Sequence, residues 1–188
     1  MKRVALVAHW DWVIYNFMLP LARHLQNCGI EVIFVCPFGK YMPKLYKAGF
    51  KCIHWKIHRR SINPLKELLA VWHLLRIYRS EQFDAIHHFT IKPNFYGSFV
   101  ARIVKTSLII NTFTGLGFLF ADSNLAILLR FFVLPLLRSA LHRPNVVTVF
   151  LNKYDRDTFI HLRLVPKKQT RIIMSSGVNV SIFHPYGE

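Results

Sequence analysis

Residues 4–36, VALVAHWDWVIYNFMLPLARHLQNCGIEVIFVC, contain the pattern that decides the fold of this chain. Val4–Ala8 and Glu31–Cys36 are short, β-rich and mostly continuous in apolar residues, which is typical of parallel strands buried on both faces. Between them, Gly29 ends a segment whose apolar residues recur at helical spacing. The stretch therefore predicts a strand, a loop, a helix and a second strand.

The same alternation of apolar runs and helical patterns continues along the chain. Asn63 followed by Pro64 predicts a capped helix start. One face of that helix is marked by Leu65, Leu68, Leu69 and Trp72. Further strands are predicted at Lys51–Ile57, Ala85–Phe89, Leu108–Thr112, Val146–Leu151 and Arg171–Met174. This repeated order predicts an α/β protein with a doubly wound, mostly parallel, Rossmann-like sheet.

The chain has the length of a single domain. Its 188 residues are enough for one well-buried core and too few for two domains of ordinary size. Residues 176–188 combine turn-forming Gly and Asn with a Pro, as expected of a chain that leaves one domain for another. We predict one domain over residues 1–175, followed by the start of an interdomain linker over residues 176–188.

The composition restricts the class of partner. Apolar residues make up 53% of the chain, which excludes a disordered protein. There are 25 Lys and Arg against nine acids, and this charge of +16 predicts attraction to nucleic acid, an anionic leaflet or phosphate-bearing substrates. The three cysteines are interpreted as small buried hydrophobic residues of a protein in a reducing compartment: Cys28, Cys36 and Cys52. No metal site is predicted.

The segment Leu125–Leu141 is apolar almost all round, and it has two interpretations. It could be a helix buried against the sheet, or an interfacial helix whose Arg130 and Arg138 contact lipid phosphates. Charged residues divide this region before it reaches the roughly 20 apolar residues of a spanning helix. We therefore predict contact with a membrane without crossing, and Lys51–Arg79 offers a second basic surface.

Polar residues follow four of the predicted strands. Ligands of open parallel sheets bind beyond the carboxyl ends of the strands, so these residues are candidate ligand contacts. Several have structural alternatives, because Asp11 could cap a helix, Lys92 could be a solvated lysine and His88 could be a satisfied buried group. The candidates are His9, Asp11, His88, Thr90, Lys92, Thr114, Gly115, Gly117 and Asn152.

Motifs of common enzyme classes are missing from these positions. The first loop lacks G-x-G-x-x-G, and no Walker lysine motif, H-E-x-x-H helix, paired C-x-x-C or G-x-S-x-G elbow occurs. Other segments do occur in order: HFTIKPNFYG (88–97), NTFTGLG (111–117), and SGVN (176–179) with FHP (183–185). Together they resemble family 4 glycosyltransferases of the GT-B fold. The most similar subgroup makes bacterial surface polysaccharides and lipid-linked oligosaccharides, and carries T-x-K-P-N-x-Y-G and a downstream G-L-G.

The resemblance covers the N-terminal half of such an enzyme, which binds the acceptor. It implies transfer of a hexose or N-acetylhexosamine, with retention of configuration, from a UDP-linked nucleotide sugar to a surface glycan or a polyprenyl-diphosphate-linked acceptor. No cofactor, metal or nucleic acid is implied. The implied location is cytoplasmic, with the protein bound peripherally to the inner face of the cell membrane. The implied acceptor contacts are His9, Asp11, His88, Thr90, Lys92, Thr114, Gly115 and Gly117, and the edge of the donor cleft is Asn152, Ser176 and Gly177.

The donor-binding domain, with its E-x7-E motif, is absent from the sequence, so we expect this chain to be inactive alone. Many relatives have a Gly-rich first loop and a histidine past the fifth strand. Here these places hold His9-Trp-Asp11 and Thr112-Phe-Thr114, so no catalytic residue is predicted. Two alternatives stay open: a membrane-docking subunit that recruits a separate donor-binding chain, and a basic nucleic-acid-binding protein without a recognisable motif.

Overall fold

The computed structural model describes residues 2–59, 61, 63–115, 120, 124–174 and 177, with the side chains of 124–129 left out. The strands are β1 (Arg3–Val7), β2 (Glu31–Cys36), β3 (Lys51–His54), β4 (Ala85–Phe89), β5 (Leu108–Phe113), β6 (Val146–Phe150) and β7 (Thr170–Ile172). The α-helices are α1 (Asp11–Val13), α2 (Leu19–Asn27), α3 (Met42–Lys47), α4 (Pro64–Glu81), α5 (Ser98–Ile103), α6 (Asn124–Leu141) and α7 (Lys153–His161). Two π-helical segments, π1 (Ile14–Met18) and π2 (Pro93–Gly97), precede α2 and α5, and a 3₁₀ turn spans Lys167–Gln169.

The sheet has the order β3-β2-β1-β4-β5-β6-β7, and every described strand pair is parallel. This confirms the predicted doubly wound α/β fold, and all seven strands lie where the apolar runs predict them. The third run was predicted to reach Ile57, but the strand ends at His54. The N–H of Trp55 still donates to the Cys36 carbonyl of β2 at 2.9 Å, and its indole N–H donates to the Ala70 carbonyl of α4 at 2.9 Å.

Two apolar clusters lie on opposite faces of the sheet. The first packs π1, α2 and α3 against β1 and β2. The second packs the layer of α4, α5, α6 and α7 against the other face. Because β1 and β4 are neighbours in the sheet while the chain winds away from them in opposite directions, the switch in strand order falls between these two strands.

The helix α4 has two apolar faces. Its start is capped as predicted, because the Asn63 side chain accepts hydrogen bonds from the N–H groups of Leu65 and Lys66. The side chains that enter the core are Ala70, Leu74, Ile77 and Tyr78. The face marked by the sequence points to solvent instead: Leu65, Leu68, Leu69 and Trp72 are 53% to 72% exposed.

The helix α6 has one buried and one exposed apolar face. Leu137, Ala140 and Leu141 are buried in the core, whereas Phe131, Phe132 and Leu136 are exposed. Within the described residues, no helix is both long enough and apolar enough to cross a membrane.

Candidate functional site

The candidate site is the switch-point crevice, defined here as the space beyond Val7 and Phe89, where β1 and β4 end side by side. Ligands of doubly wound sheets bind at this position. Each of the two strands leads through a short loop into a helix that contains a π-helical segment, π1 after β1 and π2 after β4. Such segments occur frequently at functional sites, because they reorient side chains within a helix.

His9 and Thr90 meet across the crevice. The Thr90 hydroxyl and His9 Nδ1 form a short hydrogen bond, and Thr90 has a left-handed backbone with φ of 73°. Burial, with smaller contributions from the nearby cations Arg59 and Lys92, lowers the pKa of His9 to about 4. His9 is therefore a neutral imidazole at pH 7, suited to exchanging hydrogen bonds with a polar ligand and unsuited to carrying charge.

A stack of aromatic and cationic groups lies beside His9. The Arg59 guanidinium lies 4.1 Å from the centre of the Trp10 ring, and Trp10 stacks on Trp12 at 4.8 Å. Trp12 meets Phe17 edge-on at 5.2 Å. Sequence reasoning gave Trp10 and Arg59 no individual role, because nothing in the sequence connects the loop after β1 with the loop after β3. Their proximity follows from strand order.

Asp11 joins two loops of the site. Its carboxylate is buried and accepts the N–H of Tyr41 at 2.7 Å. A side chain on Gly39 would place its Cβ 2.6 Å from a carboxylate oxygen, so this position has room only for glycine. The capping role considered for Asp11 is wrong, because the N-cap of α1 is Trp10 and Asp11 is the first helical residue. Asp11 therefore fixes the loop between β2 and α3 against the loop after β1.

His88 is a core residue. Its ring is fully buried, with Nε2 2.9 Å from the Tyr78 hydroxyl and Nδ1 2.9 Å from Asn111 Oδ1. A Cβ on Gly97 would overlap the His88 ring, so π2 passes directly over it. Burial lowers the pKa of His88 to about 4. The ring does not reach the switch-point crevice. His88 is therefore a buried residue whose hydrogen bonds are satisfied within the protein, which was the alternative to a ligand contact.

Lys92 also bonds to the protein itself. Its ammonium donates to the carbonyls of His58 and Ser61 at 3.0 and 2.6 Å and to Glu67 Oε1 at 2.9 Å. The other oxygen of Glu67 accepts the Tyr96 hydroxyl at 2.7 Å. These bonds give Lys92 a structural task, which is to hold the loop before α4 against π2. A phosphate contact by Lys92 would require one of these partners to be exchanged.

Residues 88–97 therefore form a frame for the site. Four polar side chains of this segment bond to other residues of the protein: His88, Thr90, Lys92 and Tyr96. Asn94 adds a hydrogen bond from its amide Nδ2 to the Thr112 carbonyl at 2.9 Å. The amide oxygen Oδ1 of Asn94 and the amide nitrogen Nδ2 of Asn111 are buried without hydrogen-bond partners. The segment that carries the resemblance thus points largely into the protein.

Three of the remaining sequence candidates, Thr114, Gly115 and Asn152, lie at the same edge of the sheet, after β5 and β6. Thr114 is exposed just after β5, and Gly115 has open space where a side chain would project, with φ of 150°. Asn152 caps α7 by accepting the Asp155 N–H at 2.7 Å. Gly177 is exposed. Gly117 and Ser176 lie outside the described residues.

Two open grooves lie at the opposite edge of the sheet, with volumes of about 290 and 410 Å³. They share Lys105, Thr106 and Ser107. Cations near the carboxyl ends of helices offset the helix dipole, which explains this basic lining without a ligand. Among the described residues, no cluster of three or more His, Cys, Asp or Glu could hold a metal ion.

Comparisons with known proteins show a family, and a relative of which this chain covers about half. A family model described as glycosyl transferase 4-like matches residues 3–150. N,N'-diacetylbacillosaminyl-diphospho-undecaprenol alpha-1,3-N-acetylgalactosaminyltransferase of Campylobacter jejuni is 27% identical over 184 residues, which are 97% of this chain and 48% of that protein. The chain thus spans about half the length of this curated relative.

Solved structures agree on the fold. MurG of Acinetobacter baumannii superposes with a TM-score of 0.61 at 17% identity, over 97% of this chain and 48% of that one. Sucrose-phosphate synthase of Thermosynechococcus elongatus gives 0.66 at 14% identity, over 99% and 51%. UDP-GlcNAc 2-epimerase of Neisseria meningitidis gives 0.66 at 12% identity, over 93% and 47%. At these identities the likeness shows the fold alone.

Proposed function

This chain belongs to the glycosyl transferase 4-like family, and from that premise we propose that it is the acceptor-side half of a glycosyltransferase. The transfer would move a hexose or N-acetylhexosamine from a UDP-linked sugar to a polyprenyl-diphosphate-linked acceptor. The observation that carries this proposal is the 27% identity, across 97% of the chain, to an enzyme named for transfer to a diphospho-undecaprenol-linked sugar. The donor would bind to the other half of the enzyme.

The switch-point crevice is suited to holding an acceptor sugar. Neutral His9 and the Thr90 hydroxyl can exchange hydrogen bonds with sugar hydroxyls, and Trp10 provides an apolar wall beside them. Such contacts orient the attacking hydroxyl and exclude water, which lowers the barrier without covalent chemistry from this domain. Stabilisation of the leaving diphosphate would come from the donor half.

Equilibrium binding separates the acceptor role from a donor role. We expect the chain to bind a short-chain polyprenyl-diphosphate-linked N-acetylhexosamine at least tenfold more tightly than UDP-N-acetylhexosamine, a difference of about 1.4 kcal/mol, because the uridine of the donor would bind to the other half of the enzyme. Isothermal titration calorimetry with both probes measures this ratio. We also expect no release of UDP from the nucleotide sugar. Tight binding of the nucleotide sugar without binding of the lipid-linked sugar would contradict the proposal.

We further propose that the chain docks peripherally on an anionic membrane, at the cytoplasmic face. The docking face is the outer surface of the helix layer, made by Leu65, Leu68, Leu69 and Trp72 of α4 and Phe131, Phe132 and Leu136 of α6. Cations accompany it: Arg76 lies 4.9 Å from the centre of the Trp72 ring, and Arg138 is exposed on α6. Arg130 is half-buried with a buried Nε, so Arg138 is the better candidate for lipid phosphate. Apolar side chains beside cations favour an anionic interface.

Vesicle binding tests the docking face. The double variant Leu68→Ser/Trp72→Ser is expected to bind both neutral and anionic vesicles about 30-fold more weakly, because burial of each side chain contributes on the order of 1 kcal/mol. Arg138→Glu is expected to weaken binding about 30-fold on anionic vesicles only, because it changes the charge by two at roughly 1 kcal/mol per charge. Sedimentation with phosphatidylcholine and phosphatidylglycerol vesicles measures both effects.

The matched control is Tyr46→Ser, because Tyr46 is an exposed aromatic residue in the other helix layer, on α3. It should bind both vesicle types like the parent chain. All the replaced side chains are exposed, so circular dichroism should show an unchanged fold. If the double variant of α4 binds as the parent does, this surface is not the docking face.

A further inference from the structure

Arg59 is an exposed cation whose guanidinium is held by aromatic rings. Its centre lies 4.1 Å from the centre of the Trp10 ring, and Trp10 stacks on Trp12 with the ring centres 4.8 Å apart. Stacking uses the flat face of a guanidinium and leaves its N–H edge available for hydrogen bonds. The pair therefore presents a planar, double hydrogen-bond donor at the side of the switch-point crevice.

The backbone on either side of Arg59 is fixed as well. The Lys92 ammonium bonds to the carbonyls of His58 and Ser61, which lie before and after Arg59 in the loop between β3 and α4. Glu67, in the first turn of α4, completes the contacts of Lys92. Arg59 is thus oriented by Trp10 and its loop is anchored by Lys92, so little freedom would be lost on binding a ligand.

In the part of the chain that the structure describes, no ion pair neutralises the positive charge of Arg59. Two acids of the neighbouring loops are engaged elsewhere, Asp11 with the Tyr41 N–H and Glu67 with Lys92. The lowered pKa of His9, to which Arg59 and Lys92 both contribute, agrees with a positive potential at this place.

We propose that Arg59 binds the diphosphate of the lipid-linked acceptor, an inference that rests on the proposed function. A guanidinium matches the oxygens of a phosphate with two parallel hydrogen bonds. Arg59 precedes α4, whose first turns carry part of the docking face, and it borders the crevice through Trp10. In the acceptor the diphosphate joins the lipid to the sugar, so it would lie between the membrane and the crevice, where Arg59 is. Trp10 is then a positioning residue.

The test is binding of the short-chain polyprenyl-diphosphate-linked N-acetylhexosamine, measured by calorimetry without vesicles. Arg59→Gln is expected to weaken binding at least tenfold, because a charge-assisted pair of hydrogen bonds is lost. Arg59→Lys should be intermediate, since it keeps the charge and loses the planar fork. Trp10→Leu should weaken binding about threefold while leaving every charge in place. The matched control is Arg163→Gln, an exposed arginine between α7 and β7, which should stay within twofold of the parent.

The outcomes separate the two proposals. If the parent chain binds the probe and Arg59→Gln binds it equally well, the assignment of Arg59 is overturned while the acceptor role stands. If the parent chain does not bind the probe, both fall. UDP serves as the second probe: if UDP binds as tightly as the lipid-linked sugar and loses affinity with Arg59→Gln, the diphosphate that Arg59 recognises belongs to the donor, and the acceptor assignment is overturned.

Discussion

Acidification from pH 7 to about 4.5 is expected to unfold the chain, because three histidines are held neutral in the fold. Burial lowers the pKa values of His9 and His88 to about 4 and that of His87 to about 3. In the unfolded chain each would bind a proton near pH 6.5. Below that pH the unfolded state therefore holds more protons than the fold, and stability falls as the pH falls.

The expected slope is large. Each histidine contributes about 1.4 kcal/mol per pH unit between its two pKa values, so the three together contribute about 4 kcal/mol per unit. Two units of this loss amount to about 8 kcal/mol. This exceeds the stability of a domain in the lower part of the usual range of roughly 5–15 kcal/mol. Urea denaturation at several pH values between 7 and 5 measures the slope. A free energy of unfolding that stays constant over this range would show that these rings are protonated in the fold.

Replacement of Gly97 by alanine is expected to destabilise the fold by about 3 kcal/mol, at the upper end of the usual cost of overpacking. Gly97 has a helical backbone with φ of −63°, so alanine would by itself favour the helix. The new methyl group would overlap the buried His88 ring, which Tyr78 and Asn111 hold by hydrogen bonds on both sides. The collision therefore decides the sign of the effect.

A double-mutant cycle identifies the cause. If the methyl group collides with the ring, Gly97→Ala/His88→Ala should be less destabilised than the sum of the two single variants, by about 1–2 kcal/mol. Urea midpoints and slopes of the four proteins give this coupling energy. Additive costs would mean that the methyl group is harmful for a reason unrelated to His88.

The fold could be predicted from the sequence because buried parallel strands leave continuous apolar runs, as β1 and β2 do. Strand ends were less predictable, since Trp55 continues an apolar run and its N–H still bonds to Cys36 of β2, while its side chain bonds to α4. The outward direction of the Leu68 face was not specified, because α4 has two apolar stripes and periodicity alone does not say which enters the core.

The position of the candidate site could be predicted from the sequence, but the side chains that enter it could not. Position after a strand correctly brought His9 and Thr90 together, because both follow neighbouring strands at the sheet switch. The same rule cannot say whether a side chain points outward or inward, and His88 points inward. Arg59 was missed because its relation to Trp10 is purely tertiary: the two residues belong to loops after different strands.

The inward direction of residues 88–97 has a consequence for how such proteins diverge. A segment whose side chains brace the core is constrained by the fold, whatever sugar the protein handles, and single changes in it carry a stability cost. The loops that contain Trp10 and Arg59 are less constrained by the fold, and they can vary while residues 88–97 stay the same. Under the proposed function, we therefore expect proteins that share the T-x-K-P-N-x-Y-G segment to differ in acceptor. Their acceptor preference would be determined by the loops after β1 and β3.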